Sequence, residues 1–470
     1  MANTSHPVEQ ERGKLSRKLG FFDSTMIMVG IIIGSGIFLT TGIMAKSIPS
    51  PGLILLAWIV GGLLTLAGAL TYAELGVLMP KAGGQYVYLK EAYGPLLGFL
   101  FGWLVFLVYQ TGGIAGLASA FAEYLGHFFP ALSNENHILS AEFHIFNKTL
   151  GFTLSWGQLI AVMVILLLSL FNYIGLILGK IIQNFFTVVK IGAIVVFIIL
   201  GLSIGQGKAF DPSFQPAGFG LGQLITGFGI ALIAVFWAFD GWNNINFVAE
   251  EIKNPSRNLP LTLIIGTLGV TFLYVLVNYI YLYALPIPQM QGVERIAEKA
   301  TSVLFGGPAG DIISIAIIIS ILGSLNGSIL TGPRVYYAMA KDRLFFRRVE
   351  RISPRYGTPG FSILTQALWA CLLTLSGTFE QLITFTMFIS VIFWIGATAS
   401  VFTLRKKFPD LPRPYKTWGY PIIPLLFILA SLGILINTLI EKPMESLAGV
   451  ILILIGIPVY FFWKRKNNPY

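Results

Sequence analysis

The sequence predicts an all-α membrane protein of twelve transmembrane helices, and three observations lead there. Of its 470 residues, 55% are hydrophobic and only 11% charged, with a mean hydropathy of +0.77, whereas soluble domains carry about a quarter charged residues. Apolar runs recur from Phe22 to Phe462, each near the roughly 20 residues that a helix needs to cross a hydrocarbon core about 30 Å thick. These runs are continuous rather than alternating, which excludes a closed barrel.

The runs place helices 1 to 6 near residues 22–45, 51–78, 95–126, 155–177, 181–205 and 222–250. Helices 7 to 12 fall near 260–285, 308–340, 359–377, 381–404, 421–440 and 444–463. An even count puts both termini on one side. Most of the 31 basic residues collect there, including Lys341, Arg343, Arg347, Arg348, Arg351 and Arg355, so that side is expected to be cytoplasmic. Lys46, Lys148, Lys208, Arg295, Lys299 and Lys442 fall on the other. The net charge of +10 is thus a membrane-orientation signal, and no nucleic-acid partner is expected. Residues 1–21, with Glu9, Glu11, Arg12, Lys14, Arg17 and Lys18, are polar and lack the pattern of a removable signal peptide. They and residues 464–470 are expected to be cytoplasmic tails of a multi-pass protein of the inner (plasma) membrane.

Helices 1–5 occupy residues 22–205 and helices 6–10 occupy 222–404, leaving two C-terminal helices over 421–463. The two blocks are nearly equal in length but hold an odd number of spans, so equivalent helices run in opposite directions, as a five-plus-five inverted repeat. Each block opens with an interrupted run: Gly34-Ser35-Gly36 in helix 1 and Asp240-Gly241-Trp242-Asn243-Asn244 in helix 6. Matching breaks in an inverted repeat point to a binding site at mid-membrane.

Two glycines flanking a serine allow the backbone to unwind where Ile31, Ile32, Ile33 and Ile37 would otherwise continue the helix. Lipid cannot satisfy the freed main-chain groups, so they must be buried in protein or face a polar cavity. N–H groups opening the second half-helix around Ser35 suit a carboxylate. The carbonyls of Ile31 and Ile32 can accept from an ammonium. The competing reading is that the glycines only permit close helix packing. In the second break, Trp237 can cover a ligand as a gate or merely pack. Asp240 can pair with a cationic ligand or cap broken-helix N–H groups.

Lys190 stands several residues inside an apolar run, where its charge needs carbonyl or carboxylate partners. Its ammonium can bond the Gly30 and Ile33 carbonyls and a helix 8 hydroxyl, with Ser324 of Ser320-Ile321-Leu322-Gly323-Ser324 the first choice. It would then stand where a sodium ion sits in related architectures; the alternative is snorkelling to the interface. Arg334, Glu250 and Glu251 lie near cytoplasmic helix ends, where solvation is favoured over an inner-gate ion pair.

These motifs carry a resemblance. Gly30-Ile31-Ile32-Ile33-Gly34-Ser35-Gly36-Ile37-Phe38 is joined by Tyr72-Ala73-Glu74-Leu75, Pro80-Lys81-Ala82-Gly83-Gly84-Gln85-Tyr86 and Gly241-Trp242-Asn243. Glu250-Glu251-Ile252-Lys253-Asn254-Pro255, Arg257-Asn258-Leu259-Pro260, Gly323-Ser324-Leu325-Asn326-Gly327-Ser328 and Pro333-Arg334 follow. Over most of residues 20 to 420 the chain resembles the amino acid-polyamine-organocation superfamily, within it the L-type amino acid transporter branch and its bacterial serine/threonine-type exchangers. The resemblance implies discontinuous helices 1 and 6, alternating access, and exchange of L-amino acids without catalysis. The paired breaks and Lys190 make that exchange sodium-independent as a first expectation, and no cofactor or metal is expected. It assigns carboxylate binding to Ser35, Gly36 and Ile37, and ammonium binding to the carbonyls of Ile32, Trp237 and Asp240. Gating falls to Trp237, and Lys190 matches a sodium-replacing lysine. Animal members are linked through a loop cysteine between helices 3 and 4 to a partner chain. Residues 127–154 hold no cysteine, and Cys371 is the only one in the chain, so no disulfide-linked accessory subunit is expected.

Three other readings compete. A proton-coupled symporter keeps the fold and lets Lys190 change protonation. A major-facilitator transporter also has twelve helices, but residues 251–259 are too short for its central loop. A membrane enzyme lacks support: there is no HExxH motif or phosphate-binding loop, and His6, His127, His137 and His144 are all expected outside the spans.

Overall fold

The computed structural model describes residues 15–145, 148–205, 213–214, 218–376 and 379–467. His6, Glu9, Glu11, Arg12, Lys14 and Lys208 lie outside them. Among the described residues the chain is nearly all helical. The first expected span is a bent pair, α1 (Phe21–Ile32) and α2 (Gly36–Ser47), whose axes differ by 41°. Then come α3 (Pro51–Leu78), the short α4 (Gln85–Tyr93), α5 (Pro95–Phe128), α6 (Trp156–Ile174) and α7 (Leu176–Ser203).

The second block holds α8 (Leu221–Ala238), α9 (Pro255–Ala284), the short α10 (Ile296–Phe305), α11 (Gly307–Lys341), α12 (Gly360–Ser376) and α13 (Phe379–Lys407). Helices α14 (Ile422–Glu441) and α15 (Pro443–Asn467) close the chain. Among the described residues ten helices are long and apolar enough to span a membrane, and the α1–α2 pair makes eleven. The remaining expected span, helix 9 near 359–377, is α12, an apolar helix of 17 residues and so slightly short.

Local chemistry fixes several starts. Ser50 accepts from the Leu53 N–H at 3.2 Å ahead of Pro51, which opens α3, and a proline in the first turn gives up no helical hydrogen bond. Ser155 and Gln158 bond reciprocally at the head of α6, the Gln158 N–H to Ser155 Oγ at 3.2 Å and the Ser155 N–H to Gln158 Oε1 at 2.8 Å, as a capping box.

Four features depart from expectation. Residues between α5 and α6 form an antiparallel hairpin, β1 (His137–Ile145) with β2 (Lys148–Ser155). A π-helical segment, Val105–Tyr109, interrupts α5. The sixth span breaks where expected, being α-helical to Ala238 and turning through residues 239–243, but it resumes as a 3-10 helix over Asn244–Glu251 rather than an α-helix. His127, expected outside the spans, sits in the last turn of α5 and bonds Asp311 at 3.2 Å.

Helix α1 packs against α7, α9 and α11, and α2 against α8, so both breaks meet at the centre of the bundle. Glu74, in the middle of the Tyr-Ala-Glu-Leu motif, locks the periphery. Its carboxylate accepts from Arg405 Nε and Nη2 at 2.8 and 2.7 Å and from the Thr417 N–H at 2.7 Å. That pins α3 to the end of α13 and to the segment leading into α14. A paired Arg fork with a further backbone donor satisfies a carboxylate that is 1% exposed and would otherwise be costly to bury.

Candidate functional site: two broken helices and a buried lysine

The first break is short. Gly34 N–H bonds back to the Ile32 carbonyl at 2.8 Å, and Phe38 N–H reaches Ser35 at 3.1 Å. Between them the N–H groups that open α2 have no helical partner, as at any helix start. In the second break Gly241 holds φ +93°, and a Cβ there would collide with Ile31. Glycine is therefore required twice over at that position, for its conformation and for the approach of the two breaks.

Tyr274 on α9 joins the breaks. Its hydroxyl lies 2.9 Å from the Ile32 carbonyl and 3.1 Å from that of Ala238, so one buried group serves the C-terminal ends of both α1 and α8. The orphan carbonyls of a helix end need such partners away from water. Trp58 and Phe239 both meet the Tyr274 ring edge-on and are tilted against each other.

Lys190, on α7, is 1% exposed and does not snorkel. Its Nζ donates to the carbonyls of Gly30 at 2.9 Å, Ile33 at 2.7 Å and Ser320 at 2.6 Å, and lies 3.3 Å from Ser324 Oγ. The three expected partners, Gly30, Ile33 and Ser324, all surround it; the Ser320 carbonyl is a fourth that the sequence did not indicate. Ser324 Oγ also donates to Gly30 and Ser320 Oγ to Ile33, at 2.8 and 2.9 Å. The ammonium thus ties the unwound end of α1 to α11. Its position requires Gly323, where a Cβ would come within 2.8 Å of the lysine's Cε and Nζ.

A cavity of about 680 Å³ runs from the breaks toward the hairpin, where Asn134, His137 and Thr153 line it. Ile32, Ser35, Gly36, Trp237 and Asp240 line its inner end. Ile37 does not; it is fully buried. The Ile32 carbonyl, expected to meet an ammonium, already accepts from Gly34 and Tyr274. The Trp237 carbonyl accepts from the Asp240 N–H at 3.2 Å. Asp240 Oδ1 accepts from the Tyr109 hydroxyl at 2.8 Å, and Tyr109 is the last residue of the π-helical segment, which turns it toward the cavity it also lines. Sequence reasoning missed Tyr109 and Tyr274; it placed Asn244 in the second break without a role, and its Oδ1 is buried at the cavity with no hydrogen-bond partner among the described residues.

The other end is closed in layers. Glu251 and Arg334, expected to be solvated, instead form a buried two-pronged ion pair, Nε to Oε2 at 2.7 Å and Nη2 to Oε1 at 2.9 Å. Leu19 pairs with Ile252 as an isolated parallel bridge: the Lys18 and Leu19 N–H groups bond Glu251 at 2.9 Å, and Lys253 N–H bonds Leu19 at 2.8 Å. The Ala82 N–H bonds Glu250 at 3.0 Å, and Tyr86 and Lys90 on α4 both reach Asp342, at 2.7 and 2.8 Å. The arrangement is a polar pocket open at one end of the bundle and barred at the other.

The family model described as amino acid permease matches residues 19–462. The serine/threonine exchanger SteT of Bacillus subtilis is 32% identical, over 97% of this chain and 99% of its own length. The b(0,+)-type amino acid transporter 1 of Homo sapiens is 32% identical over 97% of this chain and 89% of its own. The large neutral amino acids transporter small subunit 2 of Homo sapiens is 33% identical over 96% and 82%.

Proposed function

Because the chain belongs to the amino acid permease family, we propose that it is an amino acid exchanger, a membrane transporter and not an enzyme, working by alternating access around its two broken helices. The observation that carries this reading is the meeting of both breaks at the inner end of a cavity open on one side only. Relatives named as exchangers or amino acid transporters cover nearly the whole chain.

An amino acid's carboxylate would sit on the N–H groups at Ser35, Gly36 and Ile37, at the positive end of α2. Its ammonium would face the carbonyls of Trp237 and Asp240, and that of Ile32 once the Tyr274 hydroxyl stops donating to it. Trp237 would close over the side chain. Lys190, bonded to Gly30, Ile33 and Ser324, would fill the place of a coupling sodium, which makes exchange sodium-independent. Residues 22–205 and 222–404 would act as inverted halves, with 421–463 outside the repeat.

The side rich in Lys and Arg, with both termini and the Glu251–Arg334 pair, would be cytoplasmic, so the cavity opens outward from a plasma membrane. Cys371 is the only cysteine and is buried, which argues against a disulfide-linked accessory chain.

The test is reconstitution in liposomes. Uptake of labelled amino acid is expected only when the lumen holds unlabelled amino acid, with no dependence on sodium. Uptake into empty vesicles driven by a sodium gradient alone would overturn it. A second reading, proton coupling, draws on Lys190, whose partners are all neutral acceptors; uptake indifferent to a pH gradient would remove it.

A further inference from the structure

A second cavity, of about 350 Å³, lies on the basic side, away from the pocket at the breaks. Lys18, the turn Ile174-Gly175-Leu176 between α6 and α7, Ile181, Arg355 and Tyr356 shape it. Among the described residues, two cations line it and no acid does. Ile177 and Ile181, one turn apart on α7, are 51% and 55% exposed, so an apolar strip runs from the cationic mouth along a membrane-spanning helix.

We propose that this cavity holds one anionic phospholipid, its phosphate between Lys18 and Arg355 and an acyl chain along Ile174, Ile177 and Ile181. A free phosphate would use the charges but leave the apolar strip without purpose, whereas a lipid uses both. The walls are held in place. The Thr358 hydroxyl donates to Tyr173 at 2.7 Å, and the Tyr173 and Tyr356 rings meet at 5.7 Å, which anchors the Arg355 loop to the end of α6. The Arg355 guanidinium lies 5.3 Å from the Tyr356 ring, a position that leaves its donors available. On the opposite wall the Lys18 carbonyl accepts from Lys180 at 3.3 Å, and the Lys18 N–H is committed to Glu251. Both main-chain groups of Lys18 are thus committed within the segment that bars the basic side, and a lipid bridging this cavity-lining residue to the Arg355 loop strengthens that closure.

The test uses the full chain in phosphatidylcholine vesicles containing a minor share of phosphatidylglycerol, extracted gently and weighed intact by native mass spectrometry. Wild type is expected to retain one phosphatidylglycerol above the phosphatidylcholine background. The variant Lys18→Gln/Arg355→Gln should retain it roughly tenfold less, while Lys442→Gln, at the other side of the bundle, matches wild type. Arg355→Gln alone, in an exposed loop, should show a partial loss even if the double variant folds poorly. Equal retention by wild type and either Arg355 variant overturns the proposal. So does displacement of phosphatidylglycerol by millimolar inorganic phosphate, which would make the site one for a free anion. Because the readout is bound lipid and not transport, its failure is separable from that of the exchange reading.

Discussion

A Cβ added at Gly36 would stand 2.8 Å from the Cα of Ala238, so the two broken helices touch backbone to backbone. A side chain at Gly36 must push α2 away from α8 before it meets any ligand. Gly36→Val is expected to abolish exchange in proteoliposomes and to lower the thermal unfolding midpoint, since overpacking at such a contact costs about 1–3 kcal/mol. Gly113 lines the same cavity with open space around it, and Gly113→Ala should keep both fold and exchange. Exchange by Gly36→Val at wild-type rate would remove the pocket assignment.

Lys190 offers a sharper test, because its partners are neutral oxygens. Lys190→Ala removes the donor shared by the Gly30, Ile33 and Ser320 carbonyls, and hydrogen bonds to a charged group contribute about 1.5–3 kcal/mol each. Exchange is expected to fall at least about tenfold. If the ammonium stands in for a metal cation, sodium should restore part of the rate in this variant and leave wild type unchanged. Equal indifference to sodium in both proteins would leave Lys190 as a strut and take away the cation-substitution reading.

The same two features show what the sequence discloses and what it withholds. Gly34-Ser35-Gly36, Asp240-Gly241 and Lys190 violate the rules of an apolar helix, and each violation marks the site, because lipid tolerates freed backbone and charge only where protein or ligand meets them. Tyr274 and Tyr109 break no such rule. An aromatic residue in an apolar run reads as packing until the rotation of its helix is known, and for Tyr109 that rotation depends on a π-helical segment with no composition signal of its own. Arg334 and Glu251 are 83 positions apart, so nothing local distinguishes a buried pair from two solvated helix-end charges.

Asp240 is expected to act on cargo charge. One carboxylate oxygen accepts from Tyr109 while the residue lines the cavity, so the charge stays in contact with the pocket. In a competition panel of the twenty amino acids, Asp240→Asn should weaken competition by lysine and arginine relative to serine and threonine by roughly tenfold, the scale of one lost charge-assisted contact. A uniform drop across the panel would confine Asp240 to holding Tyr109.

Tyr274→Phe isolates the tie between the breaks. It keeps the ring against Trp58 and Phe239 and removes only the hydroxyl shared by the Ile32 and Ala238 carbonyls. The Ile32 carbonyl keeps the Gly34 N–H, so the loss falls on the Ala238 carbonyl, and unfolding stability should fall by about 1–3 kcal/mol, the cost of stranding one buried acceptor. The exchange rate should fall with it, because the ends of α1 and α8 lose their common anchor. Reduced stability with an unchanged rate would show that the bridge serves the fold and not the transport cycle.

The Glu251–Arg334 pair bars the basic side with two buried charges, so its removal has to be read by neutralising one partner and then both. Glu251→Gln leaves the Arg334 guanidinium in a site with 1% exposure, an imbalance that costs about 3–5 kcal/mol. The closed form should lose most of that, since opening rehydrates the arginine. Glu251→Gln is therefore expected to lower the unfolding midpoint and to make the chain near Lys18 and Lys253 more susceptible to protease on the basic side. Glu251→Gln/Arg334→Met, which leaves no unpaired charge, should recover much of the stability while exchange stays impaired, because the alternation between barred and open states has lost its ionic latch. Recovery of exchange together with stability in the double variant would show that the pair is structural, and that closure rests on the Leu19–Ile252 pairing and the Ala82–Glu250 and Asp342 contacts.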